Sequence, residues 1–330
     1  MKKLTSIQQN QRKVEQKPGV FRDTTYLSDG GLESFLVFHR GIELNHFAAF
    51  ELLNNEQGLD ELRNYFLPYL DLAVQYDFSF VAETPTWRAN PDWAFKLGYT
   101  SQELNAMNRN SIRFMRALIE EHPISLDNTL ISGNIGPRGD GYRVENRMTV
   151  EEAKAYHSDQ INIFALADAD LVSAFTLNYT EEAIGIVRAA QQINIPVVIS
   201  FTVETDGRLP TGESLRDAIE KTDDATGGYT TFFMINCAHP EHFKHVFGDK
   251  ADWRNRIGAI RANASKKSHA ELDESETLGA GDTCQLANGY HELKHLLPNL
   301  RVIGGCCGTD HTHIAKICHV LFHDKPEDCS

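Results

Sequence analysis

The sequence predicts a single-domain α/β fold, a (β/α)8 TIM barrel, on three observations. Eight short β-rich runs alternate with eight segments of helical period. The runs are nearly continuous in apolar residues, as strands covered by helices on both faces must be. Most runs end in a loop bearing Gly, Asn or Thr. The competing architecture is an open doubly wound sheet, which favours a glycine-rich phosphate loop after its first strand. Here that loop reads Asp29-Gly30-Gly31-Leu32-Glu33, which is not G-x-G-x-x-G.

Residues 1–22 are rich in Gln, Lys and Arg and read as a mobile arm or a surface strap, leaving 23–330 for the barrel. The first strand is Thr24–Ser28, ending in Asp29-Gly30-Gly31. The second is Phe78–Ala82, ending in Glu83-Thr84-Pro85-Thr86. The third is Thr129–Ser132, ending in Gly133 to Pro137, and the fourth is Asp170–Phe175, ending in Thr176. The fifth is Pro196–Phe201. The sixth is Phe232–Ile235, ending in Asn236-Cys237. The seventh is Ile257–Asn263, and the eighth is Val302-Ile303, running into Gly304-Gly305-Cys306-Cys307-Gly308-Thr309.

The helices follow from apolar spacing and from their starts. Asp60 to Tyr76 repeats Leu62, Phe66, Leu70 and Ala73 on one face. Ser101 to Glu121 opens on Ser with Glu103, and Thr149-Val150-Glu151-Glu152 is a capping box before the run to Ala167. Thr180–Ile193, Leu215–Thr222, Glu241–Val246, Ala280–Leu296 and Asp310–Leu321 complete the set. Residues 264–283 form the longest polar connection and read as a lid or a disordered loop.

Composition narrows the function. The net charge of −14 argues against a nucleic-acid groove, and no apolar run reaches the roughly 18 residues that cross a bilayer. The first ten residues lack the apolar core of a signal peptide, so a cytoplasmic protein is expected. Six cysteines in a chain of this length make no disulfide framework, and reduced thiols are expected. Clustered cysteines then point to metal or catalysis. Cys284, Cys318 and Cys329 read as ordinary.

A barrel gathers the C-terminal ends of its strands around one mouth. Cys237 ends the sixth strand; Cys306 and Cys307 end the eighth, with only one strand between. Neighbouring side chains on a strand point to opposite faces, and the flanking glycines relax that constraint. Three thiolates suit zinc, at roughly 2.3 Å per bond, and three protein ligands leave one position open for chemistry. Such a cluster carries about −1 charge, which suits holding a substrate thiol as a nucleophilic thiolate. His311 and His313 read instead as helix-start and surface residues.

On Asp29-Gly30-Gly31, Asn236-Cys237 and Gly304 to Thr309, with Gly136-Pro137 and Gly139 in the third loop, the chain resembles the homocysteine S-methyltransferase family from about residue 24 to 322. The resemblance implies Zn2+ on Cys237, Cys306 and Cys307, with Asp29 and Gly30 helping to hold the amino-acid end of homocysteine; Glu83, Thr84 and Asn236 are further candidate substrate contacts. It implies two small-molecule partners, a thiol acceptor and a methyl donor of sulfonium or ammonium type, S-methylmethionine or S-adenosylmethionine foremost. The product would be methionine. Many members carry Glu-Thr at the end of the fourth strand; here the pair is Phe175-Thr176, and Glu83 is the nearest substitute by strand order. Trp87, Tyr142 and Phe175 are candidates to hold a cationic donor. Another thiol or selenol acceptor, or an inactive zinc- or thiol-sensing barrel, are the alternatives.

Overall fold

In the computed structural model, which describes residues 20–144, 147–248, 252–275 and 277–329, eight parallel strands close into a barrel in sequence order. The strands are β1 (Tyr26–Leu27), β2 (Ser79–Glu83), β3 (Thr129–Ile135), β4 (Leu171–Leu177), β5 (Val197–Phe201), β6 (Phe232–Asn236), β7 (Ile257–Ala262) and β8 (Val302–Gly305). The ring shuts where β1 pairs with β8, Tyr26 opposite Val302 and Leu27 opposite Ile303. The expected arm lies almost wholly outside the described residues.

All eight expected helices are present. They are α2 (Glu56–Gln75), α4 (Ser101–Glu120), α5 (Val150–Leu166), α6 (Thr180–Ile193), α7 (Leu215–Thr226), α8 (Pro240–Phe243), α10 (Thr283–Leu296) and α11 (His311–His323). Three short helices were not foreseen: α1 (Leu32–Phe38), α3 (Pro91–Lys96) and α9 (His269–Asp273). Each is too short for a helical period to register. The cap of α4 is Thr100 rather than Ser101, in a capping box with Glu103, so the signal begins one residue earlier. Thr149 and Glu152 form the box expected for α5. The polar connection 264–283 is not featureless, because Ser268 caps α9 through Glu271.

Two apolar regions hold the barrel. One fills the space between strands and helices. The other lies inside the barrel, where Tyr26, Leu171, Val198, Phe232 and Val302 pack together. Phe21 seals that end, its ring 5.0 Å from Tyr26 and 4.8 Å from Phe232. Toward the C-terminal ends of the strands the interior turns polar. Ser132 bonds Ser173 at 2.8 Å, and Ser200 donates to Asn236 at 2.6 Å. The inward positions thus grade from apolar at one end to hydrogen-bonding at the other, which leaves the mouth as the place for chemistry.

Two cysteines depart from the expectation of free thiols. Cys284, on the first turn of α10, is disulfide-bonded to Cys329. The tail reaches it because α11 returns alongside α10, a proximity that a separation of 45 residues does not signal.

Candidate metal centre and active site

Three sulfurs converge at the mouth, as the sequence led us to expect. Cys237, Cys306 and Cys307 place their Sγ atoms within 4.8 Å of one another, and Cys237 and Cys307 are 3.4 Å apart. Bonds of roughly 2.3 Å at tetrahedral angles separate sulfurs by roughly 3.8 Å, so the set fits a zinc-sized cation with small adjustment. Backbone geometry does the gathering. Cys237 leaves β6 with φ of 59°, in the left-handed region where a side chain other than glycine is costly. Cys306 and Cys307 are pinned to the β7 end by Cys306 N–H to Ala262 O, 2.9 Å, and Ala264 N–H to Cys307 O, 3.1 Å.

The Asp29-Gly30-Gly31 turn meets this loop from the other side. A Cβ on Gly31 would lie 2.5 Å from the Cys306 carbonyl oxygen, so only glycine lets the two turns approach. Cys306 is held well below the usual thiol range, chiefly by hydrogen bonds from Cys237 and Cys307, against burial and with help from Arg261.

Tyr142 lies against the sulfurs. Its hydroxyl lies 2.9 Å from Cys237 Sγ and 3.7 Å from Cys307 Sγ. Tyr142 stacks on His269 of α9, ring centroids 4.1 Å apart. His269 in turn meets the Cys237 carbonyl at 2.8 Å and Glu204 at 3.1 Å. The connection read as a lid thus contributes a histidine to the wall over the sulfurs.

Below them lies a charged layer that strand patterns did not reveal. Arg261, on β7, donates to Asp29 Oδ1 at 2.8 Å and to the Gly30 carbonyl at 2.9 Å, and also to Ser28. Tyr65 donates to the other Asp29 oxygen at 2.9 Å. Burial pulls the guanidinium down, but Asp29 and Glu83 outweigh it and the net displacement is upward. The Arg261 guanidinium also sits 5.1 Å from the Phe175 ring centroid.

The residues expected to touch substrate fall into two groups. Asp29 is saturated by Arg261, Tyr65 and Ser28. Asn236 bridges strands: its amide oxygen accepts from Thr176 N–H and Ser200, and its amide nitrogen donates to Thr176 Oγ1. Thr84 accepts from Asn134 N–H at 2.9 Å and lies 2.6 Å from the Thr86 hydroxyl. Gly30 has no room for a side chain beside Tyr69 and Thr309. Glu83 differs. It is buried, and its Oε2 has no hydrogen-bond partner among the described residues. Burial pushes its carboxyl up to about 7, against the pull of Arg261.

Of the aromatic candidates, Trp87 is occupied, since Arg88 lies between Trp87 and Trp93 at 4.1 and 4.0 Å from their rings. His313 is not a surface residue. It is buried, holding Asp310 at 2.8 Å and the Ala280 carbonyl at 2.8 Å, while closing the capping box of α11. Arg261, His269 and Glu33 were missed. Glu33, on the first turn of α1, is raised to about 7 by burial, with Cys306 and Asp29 adding to the effect.

A parallel barrel with three cysteines converging at the C-terminal ends of β6 and β8 is a TIM barrel with a candidate thiolate metal site at its mouth. Residues 26–321 match the family model described as homocysteine S-methyltransferase, and the chain belongs to that family and is an enzyme of that class. It is 21% identical over 313 residues to homocysteine S-methyltransferase 1 of Arabidopsis thaliana, covering 88% of this chain and 91% of that one. It is 26% identical over 255 residues to homocysteine S-methyltransferase of Escherichia coli, covering 72% and 78%. The metallated crystal form of the homocysteine methyltransferase MmuM from Escherichia coli has the same fold, with a TM-score of 0.68 at 20% identity over 90% of this chain and 96% of that one.

Proposed function

We propose that this enzyme transfers a methyl group from a cationic donor to homocysteine, giving methionine, with zinc held by Cys237, Cys306 and Cys307. The observation that carries the reading is the convergence of three sulfurs on one point at the barrel mouth. Zinc bound there supplies the Lewis acidity that keeps a substrate thiol ionised at neutral pH.

The chain's own residues supply the rest. The Tyr142 hydroxyl, beside the Cys237 sulfur and stacked on His269, lies where it can contact an incoming thiol. Glu83 offers its unpartnered Oε2 to the substrate ammonium, the task that a strand-four glutamate would perform. Phe175 stands at that strand-four place and packs over Arg261 instead. Asp29 and Tyr65 orient Arg261, whose charge also lowers the cost of placing anionic groups nearby. Transfer from a sulfonium or quaternary ammonium donor releases a neutral leaving group, so no general acid is required. Positioning of donor and thiolate in line carries much of the acceleration.

The test is an activity panel: zinc-loaded protein with homocysteine and S-methylmethionine, S-adenosylmethionine or betaine in turn, methionine being measured. Methionine is expected with a sulfonium donor. None from any donor overturns the reading. Phe175 favours one second reading, a different thiol or selenol acceptor without an α-ammonium, and the same panel run with simple thiols separates the two.

A further inference from the structure

We infer that the outer surface carries a second metal site, formed by His291, His295 and Asp324, that takes a divalent transition-metal cation such as zinc. It lies on the helical shell and is independent of the cysteine centre. His291 and His295 stand one turn apart on α10, so both rings project from one face. Their Nε2 atoms are 3.4 Å apart. Two nitrogens bound to one zinc at 2.0–2.1 Å and tetrahedral angles lie about 3.4 Å apart. Asp324 supplies the third ligand, its Oδ1 3.6 Å from His291 Nε2, and the three ligand atoms lie within 4.8 Å of one another.

The carboxylate comes from a different element and is held there. Asp324 ends α11 in the left-handed conformation, and the tail after it is tied back to α10. Asn288 of α10 donates to the Glu327 carbonyl at 2.9 Å and accepts from Glu327 N–H at 3.0 Å, and Cys284 is bonded to Cys329 beyond it. Two nitrogens and one carboxylate leave a fourth position for water, a donor set that suits zinc better than calcium or magnesium. Lys294 Nζ, 3.2 Å from Asp324 Oδ1, is the countercharge that a metal must displace. The other histidine pair one turn apart, His319 and His323 of α11, joins no such three-ligand group among the described residues.

Zinc chloride titrated by calorimetry into the purified chain, with thermal melts alongside, tests the site. The wild type is expected to take two equivalents, the weaker one raising the melting temperature. His291→Ala/His295→Ala is expected to lose the weaker equivalent and the temperature rise while keeping the cysteine-bound one, which also reports that it is folded. His319→Ala/His323→Ala keeps both equivalents. Lys294→Ala binds the weaker equivalent more tightly. Zinc uptake and melting temperature that are the same in the wild type and in His291→Ala/His295→Ala overturn the inference, whatever the cysteine centre binds; a wild type that takes one equivalent and loses it in that double variant supports the surface site and counts against zinc at the cysteines.

Discussion

Cys306 and Glu83 show how far single side chains decide this site. Cys306 is one of three converging sulfurs, and its loss leaves only two thiolates at the centre. Cys306→Ser is expected to empty the centre of zinc and to cut methyl transfer by at least ~100-fold, with the fold intact by circular dichroism. A serine variant that retains metal and turnover would remove Cys306 from the ligand set. Glu83 makes a prediction of opposite sign for stability and for binding. Its carboxyl titrates near 7 in the folded chain, above its unfolded value of 4.5. Its burial therefore costs little below pH 4.5, and the cost grows until the group is fully ionised above pH 7. Glu83→Gln should gain up to about 3 kcal/mol at pH 8 and almost nothing at pH 4, read from denaturant melts. The same substitution should weaken methionine binding at pH 8, and wild-type affinity should fall as pH drops below about 7. Methionine carries no thiol proton, so thiol ionisation does not enter the pH dependence, and comparison with Glu83→Gln isolates the part due to Glu83.

Strands and helices were legible in the sequence to different depths. The eight strands announce themselves because parallel strands covered on both faces are mostly apolar, as in Val197–Phe201. Cys306 and Cys307 were legible because adjacency and glycine wrapping are local. Arg261 was not. Inside an apolar run a lone arginine looks like a strand end, and its partner Asp29 lies 232 residues away. The His269 wall was hidden for the same reason, since it joins Tyr142 and Cys237 to a segment far along the chain, and the disulfide was hidden because α11 has to pack beside α10 before Cys329 reaches Cys284.

The last element also makes a prediction. Asp310 caps α11 and pairs with His313 immediately after the cysteine loop. Asp310→Ala should cost about 1–2 kcal/mol in thermal melts. Although burial opposes it, His313 and Thr312 hold the Asp310 carboxyl below its ordinary range, so its contribution is present above about pH 4 and is lost as pH falls. His313 is raised despite burial, through Asp310 and the Ala280 carbonyl. Its contribution is complete below about pH 6.5 and fades as pH rises through its folded value, so the pair contributes most between those limits.

At the scale of the whole molecule, Arg261 matters as a fastener. It reaches from β7 past β8 to the turn after β1, across the seam where the ring shuts. Arg261→Met leaves Asp29 buried and uncompensated, and should cost about 3–5 kcal/mol in denaturant melts. Asp29→Asn/Arg261→Met should cost less than the two single changes added together, because neither charge is then stranded. Strict additivity would show that the pair does not fasten the seam.

The plug formed by Phe21, Tyr26 and Phe232 has a kinetic consequence. Above the plug the barrel interior is filled by packed side chains, so the sulfurs are approached from the mouth at the C-terminal strand ends. Donor, acceptor, methionine and the spent donor must all pass through the same opening over the sulfurs. Traffic is then sequential, and whichever molecule lies outermost governs departure of the one beneath it. A lingering spent donor would imprison the methionine made below it, so turnover in such a chamber is set by the order of exit as much as by the speed of the transfer.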